Sequence, residues 1–155
     1  DVDIAQGGTL DIGANTLSVT RNFTRTGGTF NGTTGTLAFT GTANDGVLAG
    51  GPNFQIGSLS VDKNGRTLTV TQNVGVLGNV TVAQGSTVDL GAQTINILNA
   101  GAISNVTNNG TLVDQVGGGL VEGGGEQRHA ALARRRCPRR RSVRPPRLAA
   151  SAPRL

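Results

Sequence analysis

The feature that most constrains this chain is an internal repeat. Val2 to Val19 (VDIAQGGTLDIGANTLSV) aligns without gaps to Val80 to Ile97 (VTVAQGSTVDLGAQTINI), with nine of eighteen residues identical at an offset of 78. Self-similarity of this kind marks architectures in which one small unit cannot bury its apolar face alone and stacks on the next. A shorter period lies inside the long one. A Gly/Asn-rich turn followed by Thr and an apolar residue recurs at Thr9-Leu10, Thr29-Phe30, Thr67-Leu68 and Thr87-Val88, separated by 20, 38 and 20 residues, and Thr111-Leu112 follows 24 later. These spacings read as coils near 20 residues with one blurred copy around Gly46 to Ala49, which makes the offset of 78 about four coils of 19 to 20 residues.

Within each coil the period is two. Val2 and Ile4, Leu10 and Ile12, and Leu17 and Val19 put apolar residues on one side, with Asp, Ser and Thr between them, as in half-buried strands. Three short strands per coil, parted by turns such as AQGG and GAN, predict a three-sided parallel β-helix over residues 1–115. Like then stacks on like at about 4.8 Å per coil, with Leu10 near Phe30 and Leu68 near Val88. Composition agrees. With 25 Gly, no Trp, Tyr or Met, four Phe and 35% hydrophobic residues, the core must consist of thin aliphatic layers, and Phe23, Phe30, Phe39 and Phe54 are expected inside it.

Charge divides the chain. The net charge of +5 averages −4 over residues 1–125 and +9 over 126–155, where ten Arg occur without Lys. Residues 116–127 (VGGGLVEGGGEQ) have linker composition, and 128–155 read as a disordered Arg/Pro/Ala-rich tail. An Arg-rich arm could bind nucleic acid by releasing phosphate counterions. The abrupt loss of periodicity and the Arg, Ala, Pro, Gly and Ser mixture favour instead an out-of-frame translation of GC-rich DNA, in which case His129, Cys137 and Arg134 to Arg141 carry no function and no nucleic-acid partner is expected. The single Cys excludes an intrachain disulfide. No apolar run reaches membrane-helix length, and the opening at Asp1, inside a strand-like alternation and without a signal peptide, reads as a piece of something longer.

GTLDIGANTLSVTRNFTRTGGTFNGTTGTLAFTG and FQIGSLSVDKNGRTLTVTQNVGVLGNVTV resemble repeats of bacterial surface proteins of the filamentous-haemagglutinin and autotransporter-passenger class. The shared style is a turn, G-T-[LVF], an alternating strand and N-[FLV]-T, over about residues 2–113. The resemblance implies a right-handed β-helix, secretion to the bacterial cell surface and a role in adhesion or biofilm formation. Its partners would be host-cell or matrix surfaces, other bacterial cells or carbohydrate.

Catalytic chemistry finds few residues. The repeat region has no His and no Cys, which removes Ser-His and Cys-His arrangements. β-Helical polysaccharide lyases and hydrolases work with clustered acids or an Arg/Lys base, and the weak candidates for that reading are Asp62, Lys63 and Arg66 beside Asn64-Gly65; a solvated charged corner is the plainer expectation. Asp11 and Asp89, at equivalent repeat positions before Gly13 and Gly91, are expected to cap turns through backbone amides. No G-G-x-G-x-D-x-U-x calcium nonapeptide occurs, so neither a metal nor another cofactor is expected. Thr67, Thr69 and Thr71, with Thr9, Thr29 and Thr87 in possible stacks, are ordinary outward Thr more readily than an ice-ordering array. N-x-[ST] sequons at Asn22, Asn31, Asn79, Asn105 and Asn109 are candidate glycosylation sites, although Asn is also the expected corner residue.

Overall fold

The computed structural model describes residues 1–98 and 106–114, and the backbone of 119–122. The linker and tail otherwise lie outside the described residues, as do Asn105, His129, Cys137 and Arg134 to Arg141.

The described chain is a parallel β-solenoid. The first coil is β1 (Val2–Ile4), β2 (Thr9–Asp11) and β3 (Thr16–Val19); the second is β4 (Asn22–Arg25), β5 (Thr29–Asn31) and β6 (Thr36–Thr40). The third is β7 (Gly46–Ala49), β8 (Gln55–Ile56) and β9 (Ser58–Asp62), and the fourth β10 (Thr67–Val70), β11 (Val74–Val76) and β12 (Val80–Val82). The fifth is β13 (Thr87–Asp89), β14 (Thr94–Ile97) and β15 (Val106–Asn108), and β16 (Thr111–Val113) and β17 (Gly119–Glu122) begin a sixth. Face 1 is the continuous sheet β1-β4-β7-β10-β13-β16 and face 3 the continuous sheet β3-β6-β9-β12-β15. Face 2 is interrupted, with β2-β5 paired apart from β8-β11-β14-β17.

The blurred copy at Gly46–Ala49 is β7, between β4 and β10. Leu10 pairs with Phe30 and Leu68 with Val88, as expected. The number of coils spanned by the long repeat differs from the expectation. Val2 lies in β1 on face 1, whereas Val80 lies in β12 on face 3, eleven strands later. The offset of 78 therefore spans three and two-thirds coils of about 21 residues, not four coils of 19 to 20. The Thr-apolar positions accordingly form two ladders instead of one. Thr9 stacks on Thr29 on face 2, and Thr67, Thr87 and Thr111 stack on face 1. The expected linker also begins too early, because Gly119–Glu122 pairs with Thr94–Ile97 in register; the open edge of β14 supplies backbone partners to a run whose glycines alone suggested a flexible spacer.

Alternation fills the interior. Leu37, Leu48, Ile56, Leu59, Leu68, Val74, Val76, Leu90 and Ile95 are fully enclosed. Phe23, Phe30 and Phe54 form a cluster with ring centroids 5.3 Å apart, at the level where face 2 is interrupted. Phe39 is fully buried on face 3. Polar side chains add rungs between coils. Asp1, Asn22, Asp45 and Asn73 accept the backbone N–H of Asn22, Val47, Thr67 and Thr94 in the following coil, at 2.8–3.1 Å. Each acceptor sits at or just before a strand, so it extends the ladder where the backbone turns away.

Candidate functional site

The charged corner differs from its expectation. Asp62 ends β9 on the exposed side, and Arg66 points outward, its Nε donating to the carbonyl of Thr42 at 3.1 Å. Lys63 turns inward and is 0% exposed. Thr42 to Asp45, between β6 and β7, are all exposed, and the Lys63 stem runs close to Gly46 at the start of β7, where a Cβ would stand 3.4 Å from Lys63 Cε. The Lys63 Nζ reaches back two coils to donate to the carbonyl of Thr20 at 3.0 Å, and its backbone N–H donates to Ser86 Oγ at 2.8 Å. Burial lowers the Lys63 pKa below the ordinary 10.5; Asp45 opposes that shift and Arg66 adds to it. An enclosed amine cannot touch a polysaccharide, so Asp62, Lys63 and Arg66 are not assembled as an acid–base set.

Asp11 and Asp89 cap turns. Asp11 Oδ1 accepts the Gly13 N–H at 2.8 Å and Asp89 Oδ1 the Gly91 N–H at 2.9 Å. Asn108 does the same for Gly110 at 3.1 Å. Among the sequons, Asn31, Asn79 and Asn109 are exposed, while Asn22 is half-buried with its Oδ1 engaged by Val47. Thr67, Thr87 and Thr111 do not extend into a uniform array, since Asp89 stands beside Thr69 in the neighbouring row.

A concave feature of the described surface lies on face 2. A groove of about 530 Å³ runs across β8, β11 and β14. Its floor carries the outward positions Gln55, Gly75 and Asn96, which are consecutive partners in register. Gln72, Asn73 and Gln93 line the edge nearer face 1, and Leu98, 38% exposed, leans over Gly75 from the other side. The end wall is the loop Gly50–Phe54. Arg25 holds it from the coil below, Nε donating to the Gly50 carbonyl and Nη2 to the Pro52 carbonyl at 2.8 Å, with its guanidinium 5.7 Å from the Phe54 ring centre. From the coil above, Gln72 Oε1 accepts the Gly51 N–H. Asn53 at φ 54° turns this loop, and it is the one non-glycine with positive φ among the described residues.

The lining of this groove holds six carboxamides and no ionisable side chain. Sequence reasoning missed it, because its residues come from three successive coils. The signal available was the recurrence of outward amides about one coil apart, Gln72 with Gln93, and two coils apart, Gln55 with Asn96. No protein family, curated protein or solved structure matches the chain.

Proposed function

We propose that this chain is a structural and binding segment of a secreted bacterial surface protein of the adhesin or biofilm type, acting as a stalk without catalysis. The observation that carries the reading is the continuous coil-on-coil pairing of faces 1 and 3. Parallel stacking at about 4.8 Å per coil converts each 21-residue repeat into a fixed increment of a stiff rod. The outer rows suit prolonged exposure to water. On face 3 Ser18, Ala38, Ser60, Thr81 and Thr107 follow one another across five strands, a short-chain surface without an apolar patch. The repeat style of filamentous-haemagglutinin and autotransporter-passenger proteins supports the same reading. Partners are then host-cell or matrix surfaces or other bacterial cells, with carbohydrate as one chemistry of contact.

The test is made in the source bacterium. An epitope inserted into the exposed Thr42–Asn44 loop is probed on intact cells, and an in-frame deletion of residues 1–122 is compared with its parent for adherence and biofilm. Surface labelling together with reduced adherence is the expected result. An epitope accessible only after lysis, with adherence unchanged, overturns the proposal.

A further inference from the structure

We propose that the groove on face 2 is a binding subsite for a neutral oligosaccharide chain. The inference stands on the groove itself and does not require the stalk reading.

Its chemistry selects the ligand class. Gln55, Gln93 and Asn96 make no side-chain hydrogen bond among the described residues, and each carboxamide offers two donors and an acceptor. Gln72 and Asn73 use their oxygens within the fold, on Gly51 and Thr94, and leave their NH2 groups for other partners. Uncharged groups that both donate and accept match vicinal hydroxyls. A phosphate or uronate chain would meet no cation in the lining. An extended peptide adding to a sheet needs a free edge, whereas the groove crosses a sheet face whose backbone is already paired from β8 to β14.

Its geometry fits a chain rather than a single sugar. Gln55 and Asn96 lie two coils apart, roughly 9–10 Å, with Gly75 between them. A side chain at position 75 would fill the floor: a Cβ there stands 2.7 Å from Leu98 Cδ1 and 3.1 Å from Gln55 Cγ. Leu98 beside the floor and Pro52 in the end wall give apolar surface for the C–H faces of the rings. The loop Gly50–Phe54 is fixed from two coils by Arg25 and Gln72, so the end wall needs little ordering on binding.

The experiment uses the full 155-residue chain, isotope-labelled, titrated with maltohexaose, cellohexaose and mannohexaose, with hexagalacturonate as the acidic counterpart. At least one neutral probe is expected to shift the side-chain amide signals of Gln55, Gln93 and Asn96 saturably, with a Kd of about 1 mM or tighter. Gln55→Ala with Asn96→Ala weakens that binding about tenfold or more, and so does Gly75→Val by filling the floor. Thr69→Ala on face 1 leaves it unchanged. Backbone spectra and circular dichroism report whether each variant keeps the solenoid, and Gln93→Ala at the half-buried corner serves if the double variant does not. Absence of saturable shifts with every neutral probe overturns the proposal. So does binding that survives both the double and the Gly75→Val substitutions, or a preference for hexagalacturonate.

Discussion

Residues 2–19 and 80–97 share half of their residues and fold into the same local structure, yet they occupy different places in the solenoid. Gly7 and Gly85 turn at φ 80° and 79°, Gly13 and Gly91 both at 53°. Gly8 and Ser86 donate to the carbonyls of Ala5 and Ala83 at 3.0 and 3.1 Å, and Asn15 and Gln93 to those of Ile12 and Leu90 at 2.9 and 2.7 Å. The first copy nevertheless runs through faces 1, 2 and 3, and the second through faces 3, 1 and 2. Local sequence thus sets turns and alternation, whereas the face a strand occupies follows from how many strands precede it. Three faces built from interchangeable turns tolerate a repeat that is not a whole number of coils.

Burial also separates the copies. Leu10 and Leu17 are half-buried in the first coil, while their counterparts Val88 and Ile95 are 1% and 0% exposed with coils on both sides. The sharpest way to break the equivalence is therefore truncation of the same position in each copy. Ile95→Ala is expected to cost about 2–5 kcal/mol, and Leu17→Ala about half of that or less, because the cavity term requires enclosure. Urea unfolding monitored by circular dichroism measures both; equal costs would mean that stacking does not govern the core.

The corner beside the second copy gives the next effect. Lys63→Met keeps the buried stem but leaves the Thr20 carbonyl without its donor, for a loss of about 1–3 kcal/mol. The pH dependence distinguishes charge from packing. The folded pKa of Lys63 is lowered, so between that value and 10.5 the unfolded chain binds more protons than the folded one, and stability rises with pH. Wild type should gain on Lys63→Met across that window, as read from denaturation midpoints at stepped pH. A constant difference would show that Lys63 has the same pKa in the folded and unfolded chains.

The smallest effect sharpens the comparison. Asp11→Ala and Asp89→Ala each remove one acceptor from a turn, for about 1 kcal/mol. The two costs should agree within a few tenths despite lying on different faces, since the hydrogen bond is local. Divergent costs, measured by the same unfolding experiment, would show that the face and not the turn determines what the carboxylate contributes.

These pairs mark what was legible in the sequence. Alternation placed Leu10 on Phe30 and Leu68 on Val88, and the Asp-x-Gly spacing identified both turn caps, because each depends on residues close in the chain or on one coil of stacking. The face assignment was hidden, since a 78-residue offset suits four short coils as well as three and two-thirds longer ones. The sequence KNGR suggests a solvated Lys63, because nothing in it reveals that the amine reaches the Thr20 carbonyl two coils back. The amide groove was hidden for the same reason, as Gln55, Gln72 and Asn96 become neighbours only once the coil length is fixed.

Face assignment is the central claim, and paired cysteines test it most directly. In a Cys137→Ser background, Asn22→Cys with Val47→Cys places two thiols on adjacent strands in register, at about the 4.8 Å strand spacing, which lies within disulfide reach. Thr29→Cys with Val47→Cys tests the single-ladder alternative, in which the Gly46–Ala49 copy stacks on Thr29-Phe30. Mass spectrometry of peptides after mild oxidation should find the 22–47 link and not the 29–47 link. A 29–47 link formed in preference would contradict the three-and-two-thirds-coil repeat and the groove built on it.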